Sequence, residues 1–151
     1  PFVPKPFTPF QWMPMASKKR LDAVMKTLTQ ALRRTKKIVV NFESPKEALV
    51  QAILARGDRR LSLPLMRAAA GRGAKDLAAE MREEGLSPDD YLTREWAADE
   101  MLPWEHLDMG FTKHYLRQEY ERAEALKATR GCFDGCTRCG VCVKKKEGTN
   151  A

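Results

Sequence analysis

Apolar residues recur at helical spacing along most of this chain. After Ser17, which can cap a first turn, they follow a 3.6-residue period up to Leu32. The run Ser44-Pro45-Lys46-Glu47 has the form of a capping box with proline at the first helical position, and Gly57 can end the helix that follows. These signals predict two helices within the first 57 residues.

Further helices are predicted beyond Gly57. They are an alanine-rich helix that stops near Gly71, a helix over 74–84 that Gly85 closes, one that starts at Ser87, and one over 112–127. The apolar stripe of the last helix extends to Leu126. The run Leu102-Pro103-Trp104 interrupts the pattern, and Trp104 is predicted to anchor its loop in a core.

Two segments depart from helical spacing. Residues 36–42, with Ile38-Val39-Val40, are the best strand candidate. Residues 1–16 hold five of the nine prolines with aromatic residues between them, which predicts an extended arm. The expected fold is mainly α, a helical bundle with one short strand segment. Its predicted parts are the arm over 1–16, a helical domain over 17–128 and a cysteine-cluster tail over 129–151.

Length and composition narrow the class of protein. A chain of 151 residues with 43% hydrophobic content can bury one modest core. It contains no run of about 18 apolar residues, so we expect no membrane partner. Because the chain begins at Pro1, without a signal peptide, we expect a fragment of a longer protein. Cysteines that cluster at one place favour a reducing compartment, and we expect the cytoplasm.

All four cysteines fall within eleven residues, in a C-x3-C-x2-C-x2-C pattern typical of a metal site. The run Cys136-x-x-Cys139-Gly-x-Cys142 is similar to the half of a bacterial ferredoxin motif that supplies three thiolates to one cubane cluster. Cys132 is the candidate fourth ligand. A 4Fe-4S cluster is the predicted cofactor.

Two other uses of the cysteines stay open. Zinc sites built from four cysteines normally separate two C-x2-C pairs by a longer loop, whereas the pairs overlap here. Disulfides or free thiols are the other alternative. The subset Cys132-x3-Cys136-x2-Cys139 is also similar to the S-adenosylmethionine-radical signature, but Arg138 stands where that signature prefers an aromatic residue. We therefore do not assign a radical-initiating site to it.

Positive charge is concentrated in one segment. Residues 18–37 carry eight basic side chains against Asp22 alone, within a formal net charge of +7 for the chain. A helix there places basic residues opposite the apolar stripe, either as a solvated face or as contacts to RNA phosphates. The candidate nucleic-acid residues are Lys19, Lys26, Arg33 and Lys37.

A second set of polar residues is a candidate for substrate contact or for a structural role. It consists of Arg56, Arg59, Arg60 and His106. A helix-ending glycine flanked by arginines explains the turn over 56–60 without function. His106 has no neighbouring Cys or His at ligand spacing, which favours a structural hydrogen bond. No nucleophile elbow, phosphate loop or paired-carboxylate constellation is present, so no catalytic residue is predicted.

Several stretches in order carry a resemblance to one family. They are Phe2-Val3-Pro4-Lys5-Pro6 with Thr8-Pro9-Phe10-Gln11-Trp12, then Ala55-Arg56-Gly57-Asp58-Arg59-Arg60-Leu61, then Leu102-Pro103-Trp104-Glu105-His106-Leu107-Asp108 with Gly110, and the cysteine run. Together they resemble the C-terminal portion of cobalamin-binding-domain-associated radical S-adenosylmethionine proteins, also called Fe-S oxidoreductases. The resemblance spans nearly the whole chain, although Phe7 stands where the family usually has histidine.

The resemblance implies an accessory region rather than a complete enzyme. In such proteins a partial α/β barrel carries the radical cluster and a helical extension follows, so residues 1–12 would be the last barrel strand and its exit. The rest of the parent protein is then the main partner, and RNA modification is the suggested process. S-adenosylmethionine, with cobalamin left open, would be a cofactor of the parent protein only. A non-enzymatic metal-knuckle module that binds nucleic acid and a small electron carrier are the alternative functions.

Overall fold

The computed structural model describes residues 3–33, 35–71, 73 and 76–142. In these ranges the chain forms six α-helices and no strand, which confirms the mainly α class. The helices are α1 (Lys18–Leu32), α2 (Pro45–Arg56), α3 (Ser62–Ala70), α4 (Leu77–Glu83), α5 (Pro88–Leu92) and α6 (Lys113–Glu124), with a 3-10 turn at Arg59–Leu61. None of the helices in the described ranges has the length and apolar character needed to cross a bilayer.

The described residues divide into two compact units. The first unit contains the residues up to Lys5 and the range Met13–Trp96, and therefore α1 to α5. The second unit contains Pro6–Trp12 and the chain from Ala97 onward, with α6 as its helix. The predicted boundaries after residues 16 and 128 stay a prediction.

Helix starts and ends in the first unit follow local chemistry. Ser17 accepts a hydrogen bond from the Arg20 N–H (3.3 Å) and so caps α1, as predicted. Ser44 makes no side-chain cap bond, so the reciprocal capping box expected there is not formed, although Pro45 does occupy the first turn of α2. Gly57 ends α2 with an extended backbone, and a Cβ there would lie 2.2 Å from the Cδ1 atom of Leu61.

The core of the first unit is built around α2. Ala48, Ala52 and Ile53 are buried at helical spacing and pack with apolar residues of all the other helices of this unit. The remaining core residues are Met15, Leu21, Leu61, Ala68, Leu77, Met81, Tyr91 and Leu92. Helix α1 contributes only Leu21 to this core, since Val24 and Leu28 stay 43% and 44% exposed.

The strand predicted at Lys36–Phe42 is not confirmed. The backbone turns at Lys36 and Lys37, where Lys37 takes a positive φ of 67°, and then runs irregularly to Glu43. A strand is stable only when a neighbouring strand pairs its N–H and C=O groups, and the described residues provide none. The apolar side chains of this segment remain exposed, with Val39 at 85%.

A buried arginine joins three parts of the first unit. The Arg56 side chain, fully buried at the end of α2, donates from Nη1 to the Leu92 carbonyl (3.1 Å) and from Nη2 to the Arg94 carbonyl (2.5 Å). Its guanidinium carbon lies 4.6 Å from the centroid of the Trp96 ring. Burial, and then the charge of Arg94, lower the pKa of Arg56 to about 10. Arg56 therefore stays charged near neutral pH and has a structural position, one of the two roles considered for it.

The second unit packs the proline-rich segment against α6. Residues 6–13 form a series of turns instead of the predicted extended arm, and Trp12 is 1% exposed. The Trp12 and Phe10 rings each meet the Tyr120 ring edge-on, with centroids 6.2 Å apart in both pairs. Gln11 accepts hydrogen bonds from the Phe7 N–H (3.0 Å) and from the Trp104 indole (2.8 Å). Trp104 is thus buried in a core, as the sequence predicted.

Helix α6 ends earlier than predicted. The N–H of Leu126 bonds to the Ala123 carbonyl (3.0 Å) and that of Lys127 to the Arg122 carbonyl (2.8 Å). These two bonds form a Schellman motif, which places Leu126 in the left-handed region with φ of 54°. Leu126 is 95% exposed, so its assignment to the apolar stripe of the helix was wrong. The left-handed turn at this position strains any residue that carries a Cβ.

Replacing Leu126 with glycine should stabilise the protein. Glycine removes a left-handed penalty of about 1–2 kcal/mol and adds back about 0.5–1 kcal/mol of unfolded-state entropy, for a net gain of about 0.5–1 kcal/mol. Urea unfolding followed by far-ultraviolet circular dichroism measures the gain. Leu126→Ala is the control, because it removes the same exposed side chain and keeps the Cβ. Equal stability of the two variants would contradict the prediction.

Replacing Arg56 with methionine should destabilise the protein by about 2–3 kcal/mol, because two charge-assisted hydrogen bonds are lost from a buried site. The Leu92 carbonyl keeps the Met15 N–H (2.7 Å), whereas the Arg94 carbonyl loses its Arg56 donor. Arg59→Met is a matched control because the Arg59 side chain is exposed, and it should change stability by less than about 0.5 kcal/mol. A similar effect of both substitutions in urea unfolding would show that the buried bonds contribute little.

Candidate metal centre

The cysteine loop, residues 129–142, follows α6 and is shaped by backbone turns. Gly135 and Gly140 take positive φ values of 80° and 89°, which other residues adopt at a cost. The Cys136 N–H bonds to the Phe133 carbonyl (3.0 Å). The Thr112 N–H bonds to the Cys139 carbonyl (3.0 Å), and a Cβ on Gly140 would lie 3.1 Å from Thr112 Cγ2. The loop is therefore docked on the start of α6, where Thr112 also caps the helix.

Arg138 holds the loop from within. Its Nη2 donates to the carbonyls of Arg130 (3.0 Å) and Gly131 (2.7 Å), and its Nε donates to the Cys136 sulfur (3.2 Å). The guanidinium carbon also lies 5.8 Å from the centroid of the Phe133 ring. A single side chain thus connects the beginning of the loop to its second cysteine. Sequence reasoning used Arg138 only to reject a radical signature and missed this role.

The four thiols differ in their surroundings. Cys136 is buried, Cys139 is half-buried, and Cys132 and Cys142 are exposed. The hydrogen bond from Arg138 lowers the pKa of the Cys136 thiol, because it stabilises the thiolate. The negative charge of Cys136 raises the pKa of the Cys132 thiol, and the two side chains lie within hydrogen-bond reach. Cys136 is the thiol that ionises most readily of this pair.

The four thiols are chemically suited to a soft metal. Their positions correspond only in part to a metal site. Thiolates are the ligands that zinc and iron-sulfur clusters prefer, and an arginine beside one of them favours its charged form. Cys132 and Cys136 are close together. However, no three Cys, His, Asp or Glu side chains within the described ranges are grouped to hold a metal ion. All four predicted ligands lie in the described part of the chain, so binding one metal centre would require their side chains to rearrange.

Three of the candidate nucleic-acid residues follow one another at seven-residue spacing, which places them on the same side of the helix, whereas Lys37 lies beyond it. Lys19 and Lys26 are exposed on α1, Arg33 is the residue that caps its C-terminus, and Lys37 lies in the turn that follows. Lys18, on the same helix, pairs with Asp22 (2.5 Å). The basic helix is thus solvent-exposed, as either interpretation of its charge requires.

The remaining candidate residues make short-range contacts. Arg60 forms a two-pronged pair with Asp58, with Nε 3.0 Å from Oδ1 and Nη2 2.7 Å from Oδ2. These hydrogen bonds lower the pKa of Asp58 and raise that of Arg60. Arg59 is exposed. The Nδ1 atom of His106 lies 3.0 Å from the Pro103 carbonyl, within the loop of its own chain segment.

Comparison with known proteins adds no family to these observations. No protein-family model, no curated protein and no solved structure matches the chain.

Proposed function

We propose that this chain is the C-terminal accessory region of a radical S-adenosylmethionine Fe-S enzyme, and that its cysteine loop binds an auxiliary 4Fe-4S cluster. The observation that carries the proposal is the cysteine loop itself. It places four thiols within eleven residues and joins a thiolate-stabilising arginine to one of them. Cys132, Cys136, Cys139 and Cys142 would supply the ligands, and the cluster would supply electron storage to the parent enzyme.

The spacing of the thiols supports a cluster over a single zinc ion. Four ligands separated by only two or three residues reach the corners of a cubane more easily than those of one small tetrahedron. The positive φ values at Gly135 and Gly140 allow the backbone to curl between successive ligands. Zinc remains the alternative metal for the same four thiolates.

Exposed apolar side chains support a larger parent protein as the partner. Ile38, Val39 and Phe42 are between 40% and 85% exposed, and Val24 and Leu28 on α1 are similarly open. Exposed apolar side chains that follow one another along the chain, as Ile38 and Val39 do, are typical of a face that another protein surface covers. We infer that the rest of the parent radical enzyme covers it, and that residues 36–42 could pair with a strand of that partner. RNA modification stays the proposed process, with S-adenosylmethionine, and cobalamin if used, bound by the parent.

A second candidate function uses the basic helix. Lys19 and Lys26 are exposed on α1, and no carboxylate of the described residues pairs with them. Such a face suits RNA phosphates, so a metal-knuckle module that binds nucleic acid is the alternative. Binding that depends on these lysines in the absence of metal would favour this alternative.

Replacing single cysteines with serine tests the metal site. Serine is a harder and far less acidic ligand, so Cys136→Ser, Cys139→Ser and Cys142→Ser should each abolish metal binding. Cys132→Ser should leave a labile three-cysteine cluster, because its spacing lies outside the ferredoxin-like part. Elemental analysis for iron, zinc and sulfide after anaerobic reconstitution measures the metal content. A broad brown absorbance identifies a cluster, whereas zinc is colourless.

The control is Thr137→Ala, which changes the same loop and leaves every thiol in place. The Thr137→Ala variant should retain the metal content of the unsubstituted chain. Full metal content in the Cys139→Ser variant would rule out this ligand set. If the chain binds one equivalent of zinc and stays colourless, the site is assigned to zinc instead of an iron-sulfur cluster.

A further inference from the structure

An open cleft of about 430 Å³ lies between α6 and the cysteine loop, within the second unit. Its walls come from α6, the turn that ends it, and the loop. None of the four cysteines belongs to the lining, so the cleft is a separate feature from the proposed metal ligands.

The charges of the cleft do not cancel. Its two carboxylates already have partners, since Glu121 pairs with Arg117 (3.1 Å) and Glu119 with Arg122 (3.5 Å). Glu119 also accepts a hydrogen bond from the Thr129 hydroxyl.

Three cations are left over in the lining. Lys127, Arg130 and Arg138 pair with no carboxylate of the described residues. Several cations around one concavity attract an anion, which can then form charge-assisted contacts with more than one of them.

From this arrangement we infer that the cleft binds a phosphate-bearing ligand of about the size of one nucleotide. Arginine and lysine are the side chains that bind phosphate, and three of them around one concavity match its charge. A volume of about 430 Å³ lies in the range of about 300–1,000 Å³ that holds small ligands. The Tyr115 ring and the Gln118 amide line the same cleft and offer a stacking surface and hydrogen-bonding groups for a base.

Arg138 is held in place for this role by other contacts. Its bonds to the Arg130 and Gly131 carbonyls and to the Cys136 sulfur fix the guanidinium at the edge of the cleft. Arg130 and Lys127 are exposed and can adapt to the ligand. The site thus combines one positioned cation with two adjustable ones. A free nucleotide and a nucleotide within an RNA strand present the same chemistry.

Calorimetric titration of the full chain with adenosine 5′-monophosphate tests the inference, with adenosine as the matched ligand that lacks phosphate. We expect saturable binding of the monophosphate, with a Kd about tenfold or more below that of adenosine. The variant Lys127→Gln/Arg130→Gln should weaken binding of the monophosphate by about tenfold or more, because two of the three cations without a carboxylate partner are gone. The far-ultraviolet circular dichroism of this variant should equal that of the unsubstituted chain, since neither side chain has a partner among the described residues.

The control variant Lys46→Gln/Arg82→Gln removes the same charge from exposed positions of the first unit and should change binding by less than about twofold. Competition by a single-stranded RNA oligonucleotide separates the two sources: displacement of the monophosphate assigns the site to an RNA strand, and no displacement assigns it to a free nucleotide. Absence of saturable binding, equal affinity for adenosine, or equal losses in the two variants would each overturn the inference. Because metal content is measured separately, failure here leaves the proposed metal site unaffected.

Discussion

The first unit depends on one buried guanidinium that binds backbone carbonyls. Short helices leave their last carbonyl groups without partners, and an α-helix of five residues, such as α5, has few internal bonds with which to compensate. Arg56 supplies donors to the carbonyls of Leu92 and Arg94 at and beyond the end of this helix. The Trp96 ring faces its cation, which offsets part of the cost of burying the charge. Desolvation still lowers the pKa of Arg56 to about 10, so the stabilising charge is retained near neutral pH.

The same chemistry organises the cysteine loop of the second unit. Residues 129–142 bury few apolar side chains, so hydrophobic packing alone cannot order them. Arg138 replaces that packing with bonds to two carbonyls and to the Cys136 sulfur. This one residue lowers the pKa of a thiol, fixes the loop and contributes a cation to the neighbouring cleft. The proposed metal site and the proposed phosphate site would then share a structural support without sharing a ligand.

The sequence predicted several features that depend on neighbouring residues, missed one local turn, and failed where distant residues decide. Ser17, Gly57 and Pro45 mark helix boundaries because caps and breakers act within one turn. Lys36–Phe42 has strand composition, but a strand requires a partner that the described chain does not provide. Leu126 matched the helical stripe because periodicity carries no information about where a Schellman turn begins. Burial of Arg56 could not be predicted either, since its carbonyl partners lie 36 and 38 residues away.

The sequence identifies the four candidate ligands, but it does not predict how they are arranged in space. The reason is that thiolates at short distance repel one another. Two thiolates at short distance destabilise each other, and the raised pKa of Cys132 beside Cys136 is one measure of that cost. Four thiolates can converge only when a cation compensates them, so ligand geometry and metal binding form together. Arg138 provides one positive charge, and it stabilises the thiolate of Cys136. For the proposed site, the arginine would therefore prepare one ligand, and the metal itself would bring in the others.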